Sequence, residues 1–200
     1  MAGAPAKAAL RASMRRLRGA LTDDHRALAH VRMTLHLEPL VAAADGPVAL
    51  FCPTPAEASP LGLVDRFAPG DTRFAWPRVA SAPGAPNPAL TFHLAALSDL
   101  VPGAFGLLEP PAHFPLIPAS DLALIVVPGL AFDHDLNRLG QGGGFYDATL
   151  AQTPATRVGL AYECQRIPSL PTDPHDLRMD VLVTELAVWH LPSPVSPRAA

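Results

Sequence analysis

The sequence predicts an α/β layered domain, and three observations carry that expectation. Short apolar runs bounded by Pro, Gly, Asn and Asp alternate with helical patterns or long connections along the chain. The run Leu122 to Val127, Leu-Ala-Leu-Ile-Val-Val, is apolar on both faces, as a central parallel strand is. A length of 200 residues at 49% hydrophobic content suffices for one domain with a sizeable core. No internal repeat or clean boundary divides it. The expected domain spans 1–192, with 193–200 as a frayed tail.

The elements follow in order. Leu10, Met14, Leu17 and Leu21 are spaced 4, 3 and 4 apart and make one apolar helical stripe. Lys7, Arg11, Arg15 and Arg18 make a cationic stripe on a neighbouring face. That face is either a solvated surface or an anion site, with Lys7 and Arg11 at i,i+4 pointing two cations at one ligand. An Arg-rich, acid-poor start is also compatible with an organelle transit peptide; the regular stripe favours a helix of the mature domain. Thr22-Asp23-Asp24 caps a second helix, whose apolar face is read as Leu28, Val31 and Leu35 and which Glu38-Pro39 ends or interrupts. Strands are expected at Val48 to Cys52, Arg73 to Trp76 (closed by Pro77), Leu90 to Leu94, Leu122 to Val127, Val158 to Tyr162 and Val181 to Thr184. Leu61 to Phe67 and Phe145 to Gln152 read as short helices. Ser81 to Pro88 reads as a loop and Pro102 to Pro118 as mostly irregular.

Composition narrows the function classes. The net charge of −3 and a pI of about 6.2 give no electrostatic case for nucleic acid. No apolar run reaches the roughly 18 residues of a membrane span. Cys52 and Cys164 are isolated, so neither a zinc knuckle nor a disulfide scaffold is indicated. The expectation is a cytoplasmic protein acting on small molecules as a monomer, without nucleic acid or membrane partners. Proline is abundant, at 24 residues, and 14 of the 15 cations are arginine, a skew that looks like coding bias. The sole lysine is Lys7.

One segment stands apart: Pro128-Gly129-Leu130-Ala131-Phe132-Asp133, then Arg138-Leu139-Gly140-Gln141-Gly142-Gly143-Gly144-Phe145-Tyr146-Asp147. Four glycines in five positions lie between an apolar strand and a helix. Such a loop is either a plain turn or a cradle in which backbone N–H groups approach an anion, helped by the following helix N-terminus. Arg138 adds a planar cationic fork, and Asp147 is placed to take a divalent cation beside a phosphate. Neither a Walker loop nor a dinucleotide-binding fingerprint is present.

This segment resembles 5-formyltetrahydrofolate cyclo-ligase, whose pattern is roughly PGxxFDxxGxRLGxGxGYYD against PGLAFDHDLNRLGQGGGFYD here. The resemblance runs in order over nearly the whole chain: Lys7 and Arg11, Val48 to Glu57, Pro77-Arg78, Phe105, Gly106, Glu109 and Pro110, then Gln165, Pro171, His175-Asp176 and Thr184-Glu185. It implies a single three-layer α/β domain with a mostly parallel open sheet flanked by helices. It also implies an ATP- and Mg²⁺-dependent conversion of 5-formyltetrahydrofolate to 5,10-methenyltetrahydrofolate, ADP and phosphate.

Carried onto this chain, the resemblance makes Arg138 and Tyr146 the catalytic pair. Lys7, Arg11, Arg138, Leu139, Gly140, Gln141, Gly142, Gly143, Gly144, Phe145 and Tyr146 would bind ATP. Cys52, Glu57 and Tyr146 would bind the folate, and Asp147 and Asp176 would hold Mg²⁺. Phe51 and Trp76 are read as core residues that could also wall the pterin. Four positions depart from the pattern: Leu136 for a usual glycine, Gln141 for Tyr or Arg, Phe145 for the first of two tyrosines, and Pro60 for a threonine. These leave two alternatives open, a folate-binding protein without turnover and a related ATP-using enzyme on another substrate.

Overall fold

The computed structural model describes residues 3–68, 73–80, 89–173 and 176–191. Helix α1 spans Gly3–Gly19 and α2 spans Asp23–Ala42. Strands β1 (Val48–Ala49), β2 (Phe74–Val79), β3 (Leu90–Leu94), β4 (Val101–Pro102), β5 (Leu108–Glu109) and β6 (Leu116–Ile117) precede the long central strand β7 (Leu124–Pro128). Then come β8 (Ala131–Asp133), β9 (Arg138–Leu139), helix α3 (Phe145–Leu150), β10 (Thr156–Leu160), β11 (Arg166–Ile167), β12 (Val181–Val183) and β13 (Val188–His190).

Eight strands form one sheet in the order β13-β12-β10-β7-β1-β2-β3-β6. The five from β12 to β2 are parallel, and β13, β3 and β6 join antiparallel at the edges. Two small sheets, β11-β8-β9 and the hairpin β4-β5, stand beside it. The period-2 alternation of a strand shows why the domain has three layers. Val48, Leu50, Leu124, Val126, Val181 and Val183 face one apolar cluster. Ala49, Ile125, Val127 and Leu182 face a second cluster on the opposite side. The first side is covered by α2 through Ala29, Met33, Leu37 and Val41. The second is covered by Leu150 and Tyr146 of α3 together with Leu136, Leu177 and Met179 from connecting segments.

Thr22 caps α2 as its sequence requires, its hydroxyl accepting the His25 N–H at 3.2 Å. The face read as apolar lies outward, however: Leu28, Val31 and Leu35 are 54%, 59% and 54% exposed. The helix instead buries the more regular Ala29, Met33, Leu37, Val41 set at i,i+4 spacing. Nor does Pro39 end it. Pro39 sits on the solvent side, so the Leu35 carbonyl that loses its helical donor can bond to water. The apolar stripe of α1 does pack inward at Leu10, Met14 and Leu21, with Leu17 exposed; Arg18 of the cationic stripe is buried as well, at 5% exposed.

Other expectations shift at the edges. The β1 ladder stops at Ala49, although Leu50, Phe51 and Cys52 stay buried. Strand β2 runs through Pro77 because β1 has already ended there, so no parallel partner asks for the missing N–H. Strand β7 starts two residues later than read, β10 two residues earlier than read, and β12 ends at Val183. Leu61–Arg66 is a 3₁₀ helix, and α3 stops at Leu150. The stretch Pro102 to Pro118 is mostly irregular, as read, and carries the two-residue strands β5 and β6. The loop at 81–88 and the tail at 193–200 lie outside the described residues. Among the described residues no helix is long and apolar enough to cross a membrane.

Candidate active site

In open parallel sheets, ligands bind beyond the carboxyl ends of the strands where the strand order reverses. Here the chain steps from β1 to β2 on one side, then places β7 and β10 on the other. The segments leaving β1 (Phe51 to Glu57) and β7 (Pro128 to Arg138) therefore diverge at a crevice. A cavity of about 530 Å³ opens there. Phe51, Cys52, Thr54 and Glu57 line one wall, the loop Gly140 to Asp147 with Arg138 a second, and Phe105 with Leu107 to Glu109 a third.

The second wall follows from local chemistry. Gly142 and Gly144 hold φ of 104° and 73°, the left-handed region that side chains rarely adopt. Gly144 is the N-cap of α3, a helix of only six residues, so the loop itself rather than a long helix dipole forms this wall. Arg138 stands behind it. Its Nη1 donates to the Pro128 carbonyl at 3.2 Å, and its Nη2 pairs with Asp147. Its Nε is buried without a protein partner. The guanidinium lies 5.7 Å from the Tyr146 ring centre. Burial pushes the Tyr146 phenol far above its ordinary range, more than Arg138 lowers it. Tyr146 is thus a neutral hydrogen-bond donor at any working pH. Burial also pushes the Cys52 thiol up to about 11, which makes it an uncharged wall residue and no nucleophile.

The departure at Leu136 leaves the turn before Arg138 intact. Leu136 takes φ of 59°, the left-handed geometry suited to glycine. That strain costs roughly 1–2 kcal/mol, and it is offset because Leu136 is 1% exposed and burial of a leucine is worth about 1.5–3 kcal/mol. Asp133 ties the turn, accepting the Asp135 and Asn137 N–H groups at 3.0 and 2.9 Å. Phe145, the other aromatic departure, meets Phe105 edge-on at 5.9 Å across the cavity mouth. Phe105 itself has φ of 56°.

The cationic stripe of α1 is not a solvated face. Each of its four members reaches a different part of the site. Lys7 Nζ donates to Asp173 at 2.6 Å and Asp176 at 2.7 Å. Arg11 Nε donates to the Gly140 carbonyl at 2.9 Å. Arg15 Nη2 donates to Gln141 Oε1 at 2.9 Å. Arg18 Nη1 pairs with Glu57 Oε1 at 3.5 Å. At about 1.5 Å per residue, the stripe from position 7 to 18 is a rail of roughly 16 Å. Burial works against the charge of Lys7, but its hydrogen bonds to the two aspartates outweigh that and its pKa is raised.

The structure therefore gathers Cys52, Glu57, Arg138, Gly140, Gln141, Gly142, Gly143, Gly144, Phe145, Tyr146 and Asp147 around one cavity. Lys7, Arg11 and Asp176 stand along the rail. Leu139 does not face the cavity; it packs with Met14, Leu130 and Ala131 in a third apolar cluster. Trp76 is wholly buried, its indole N–H donating to the Ala95 carbonyl at 2.9 Å, so it is core and no pterin wall. His175 lies outside the described residues. Asp147 and Asp176 each face a cation, Arg138 and Lys7. Among the described residues no group of three or more His, Cys, Asp or Glu could hold a metal ion. These donors suit a Mg²⁺ that arrives with nucleotide phosphates, since Mg²⁺ commonly takes one or two carboxylates beside phosphates and water. The sequence reading missed Arg15, Arg18 and Asp173. The stripe's continuation past Arg11 was the available signal for the two arginines; the Asp-x-x-Asp spacing of Asp173 and Asp176 was the only one for the third.

Residues 4–185 match the 5-formyltetrahydrofolate cyclo-ligase family. The chain belongs to that family. A cyclo-ligase of Mycolicibacterium smegmatis is 33% identical over 143 residues, covering 68% of this chain and 72% of that protein. One from Haemophilus influenzae is 43% identical over 84 residues, 40% of this chain. The matched stretches span about half the length of the Haemophilus and Escherichia coli cyclo-ligases, 45% and 53%. The solution structure of Aquifex aeolicus 5,10-methenyltetrahydrofolate synthetase superposes with a TM-score of 0.81 at 30% identity, over 96% of both chains. The Mycoplasma pneumoniae synthetase shares the cyclo-ligase fold, with a TM-score of 0.69 at 20% identity over 90% of this chain and 98% of that one.

Proposed function

We propose that the protein converts 5-formyltetrahydrofolate and ATP to 5,10-methenyltetrahydrofolate, ADP and phosphate. The observation that carries this reading is the α1 rail, which meets the glycine loop, the Glu57 wall and the Asp176 turn. A site for two ligands, one anionic and one with a planar head group, needs those parts side by side.

The chemistry then runs as follows. The formyl oxygen attacks the γ-phosphorus and ADP leaves, which activates the formyl carbon. N10 attacks that carbon, the ring closes as N10 loses its proton, and phosphate departs with the former formyl oxygen. Positioning and charge neutralisation are the main needs of such a transfer. Lys7 and Arg11 contact the phosphates, with the backbone of Gly140 to Gly144 as cradle. Arg138, held by Pro128 and Asp147, brings a rigid fork to the transferring group and still has its Nε–H unspent. Tyr146, kept neutral, donates to the formyl oxygen. Glu57 accepts from the amine and ring N–H of the pterin, beside Cys52 and Phe51. Asp147 and Asp176 hold a Mg²⁺ that, when bound, neutralises phosphate charge. Action as a cytoplasmic monomer on small molecules belongs to the same proposal; the acidic charge balance bears on one part of it, arguing against a nucleic-acid partner.

The test is an assay with 5-formyltetrahydrofolate, ATP and Mg²⁺, following the methenyl product by its near-ultraviolet absorbance and ADP in parallel. Stoichiometric product and ADP are expected. Tight folate binding without ADP would leave a binding protein; neither signal would point to another substrate.

A further inference from the structure

One polar side chain joins the two walls of the cavity. Gln141 is exposed at the crest of the glycine loop. Its Oε1 accepts from Arg15 Nε at 3.2 Å and Nη2 at 2.9 Å. Two donors on the oxygen fix which way the amide faces, and its Nε2 donates to Glu57 Oε1 at 3.4 Å. Glu57 is already well occupied. Its Oε2 accepts the Thr54 N–H at 2.9 Å, and its Oε1 also takes Arg18 Nη1 at 3.5 Å.

An ionised carboxylate offers about four lone-pair positions, two on each oxygen. Oε1 has two donors and is full; Oε2 has one position left. A planar head group that presents an amine and a ring N–H side by side needs one position on each oxygen. One donor on Oε1 must therefore leave. Both bonds to Oε1 are long, 3.5 Å from Arg18 and 3.4 Å from Gln141, but Arg18 is buried on a helix, whereas Gln141 is exposed on a glycine loop and is the one free to move away.

We propose that Gln141 is a positioning residue that trades places with the head group on Glu57 and thereby couples the two ligands. A head group arriving at Glu57 releases the crest of the loop. A nucleotide that draws the loop onto its phosphates withdraws Gln141 and opens Glu57. Because coupling is reciprocal, each ligand tightens the other. The inference rests on the reading of Glu57 as the head-group acceptor, and the experiment separates the two.

The experiment is calorimetric titration of 5-formyltetrahydrofolate, with and without a non-hydrolysable ATP analogue and Mg²⁺. The unmodified protein is expected to bind folate at least about fivefold tighter with the analogue present, the lower end of ordinary coupling. Gln141→Ala, and the similar-sized Gln141→Met that keeps no donor, are expected to bind folate tighter than the unmodified protein without nucleotide. Both are expected to lose most of the coupling factor, a readout that general loosening of the loop does not raise in this way. If both variants keep the full factor while Glu57→Gln weakens folate binding, the exchange is wrong and the Glu57 reading stands. If Glu57→Gln binds folate as well as the unmodified protein, the Glu57 reading itself falls and takes the exchange with it.

Discussion

Helices α1 and α2 are neighbours in sequence with stripes of opposite chemistry, and the structure turns the two stripes opposite ways. The charged stripe of α1 turns toward the site and finds five partners, Asp173, Asp176, Gly140, Gln141 and Glu57. The apolar stripe Leu28, Val31, Leu35 of α2 turns outward, and a second apolar row on the same helix packs on the sheet. Periodicity identifies faces; it does not say which face goes inside. On a helix that covers a sheet, the inward face is the one whose residues fit an apolar surface. On a helix that borders a site, it is the one whose charges find acceptors.

Substitutions can break or sharpen that contrast. Arg138→Ala removes the group behind the glycine loop and should lower kcat by about 10²–10³, the usual scale for one transition-state donor, with little change in melting temperature. If it turns over normally, Arg138 serves something other than phosphoryl transfer. Arg18→Ala strands Glu57 without its buried cation and should cost about 3–5 kcal/mol by denaturant unfolding, with a raised folate KM. Met33→Ala on the buried row of α2 should cost about 2–5 kcal/mol. A Leu28→Ser, Val31→Ser double substitution on the outward row should stay within about 0.5 kcal/mol per site. Lys7→Arg should raise the KM for ATP severalfold with kcat nearly unchanged, because a planar fork cannot meet Asp173 and Asp176 as one compact ammonium does. An unchanged KM would make the far end of the rail a structural tie only.

Much of this site is legible in the sequence because its densest part is contiguous. The segment from Pro128 to Asp147 shows both its glycines and its Arg138 and Asp147 within 20 residues. The central strand is equally plain, since both of its faces are apolar. Strands of two or three residues, such as β4, β5, β8, β9 and β11, are too short for a period to appear. Leu136 hides a left-handed turn that glycine would have advertised. Arg18 was half legible for a different reason: the cationic stripe marks its face, but its partner Glu57 is 39 residues away and gives no local cue. The link from Gln141 to Glu57 crosses 84 residues and exists only once β1 and β7 are side by side.

The rail also has a consequence for how the protein comes into being. Helix α1 is made before its partners, and most of its contacts lie far downstream: 129 residues on for Gly140, 126 for Gln141, and 166 and 169 for Asp173 and Asp176. Closing such long separations is slow compared with forming a helix. Three of the four cations of the stripe therefore wait unmatched until positions 140 to 176 have been made, while Arg18 meets Glu57 after 39 residues. Binding competence is then a late event of folding, reached when α1 docks against segments synthesised well after it.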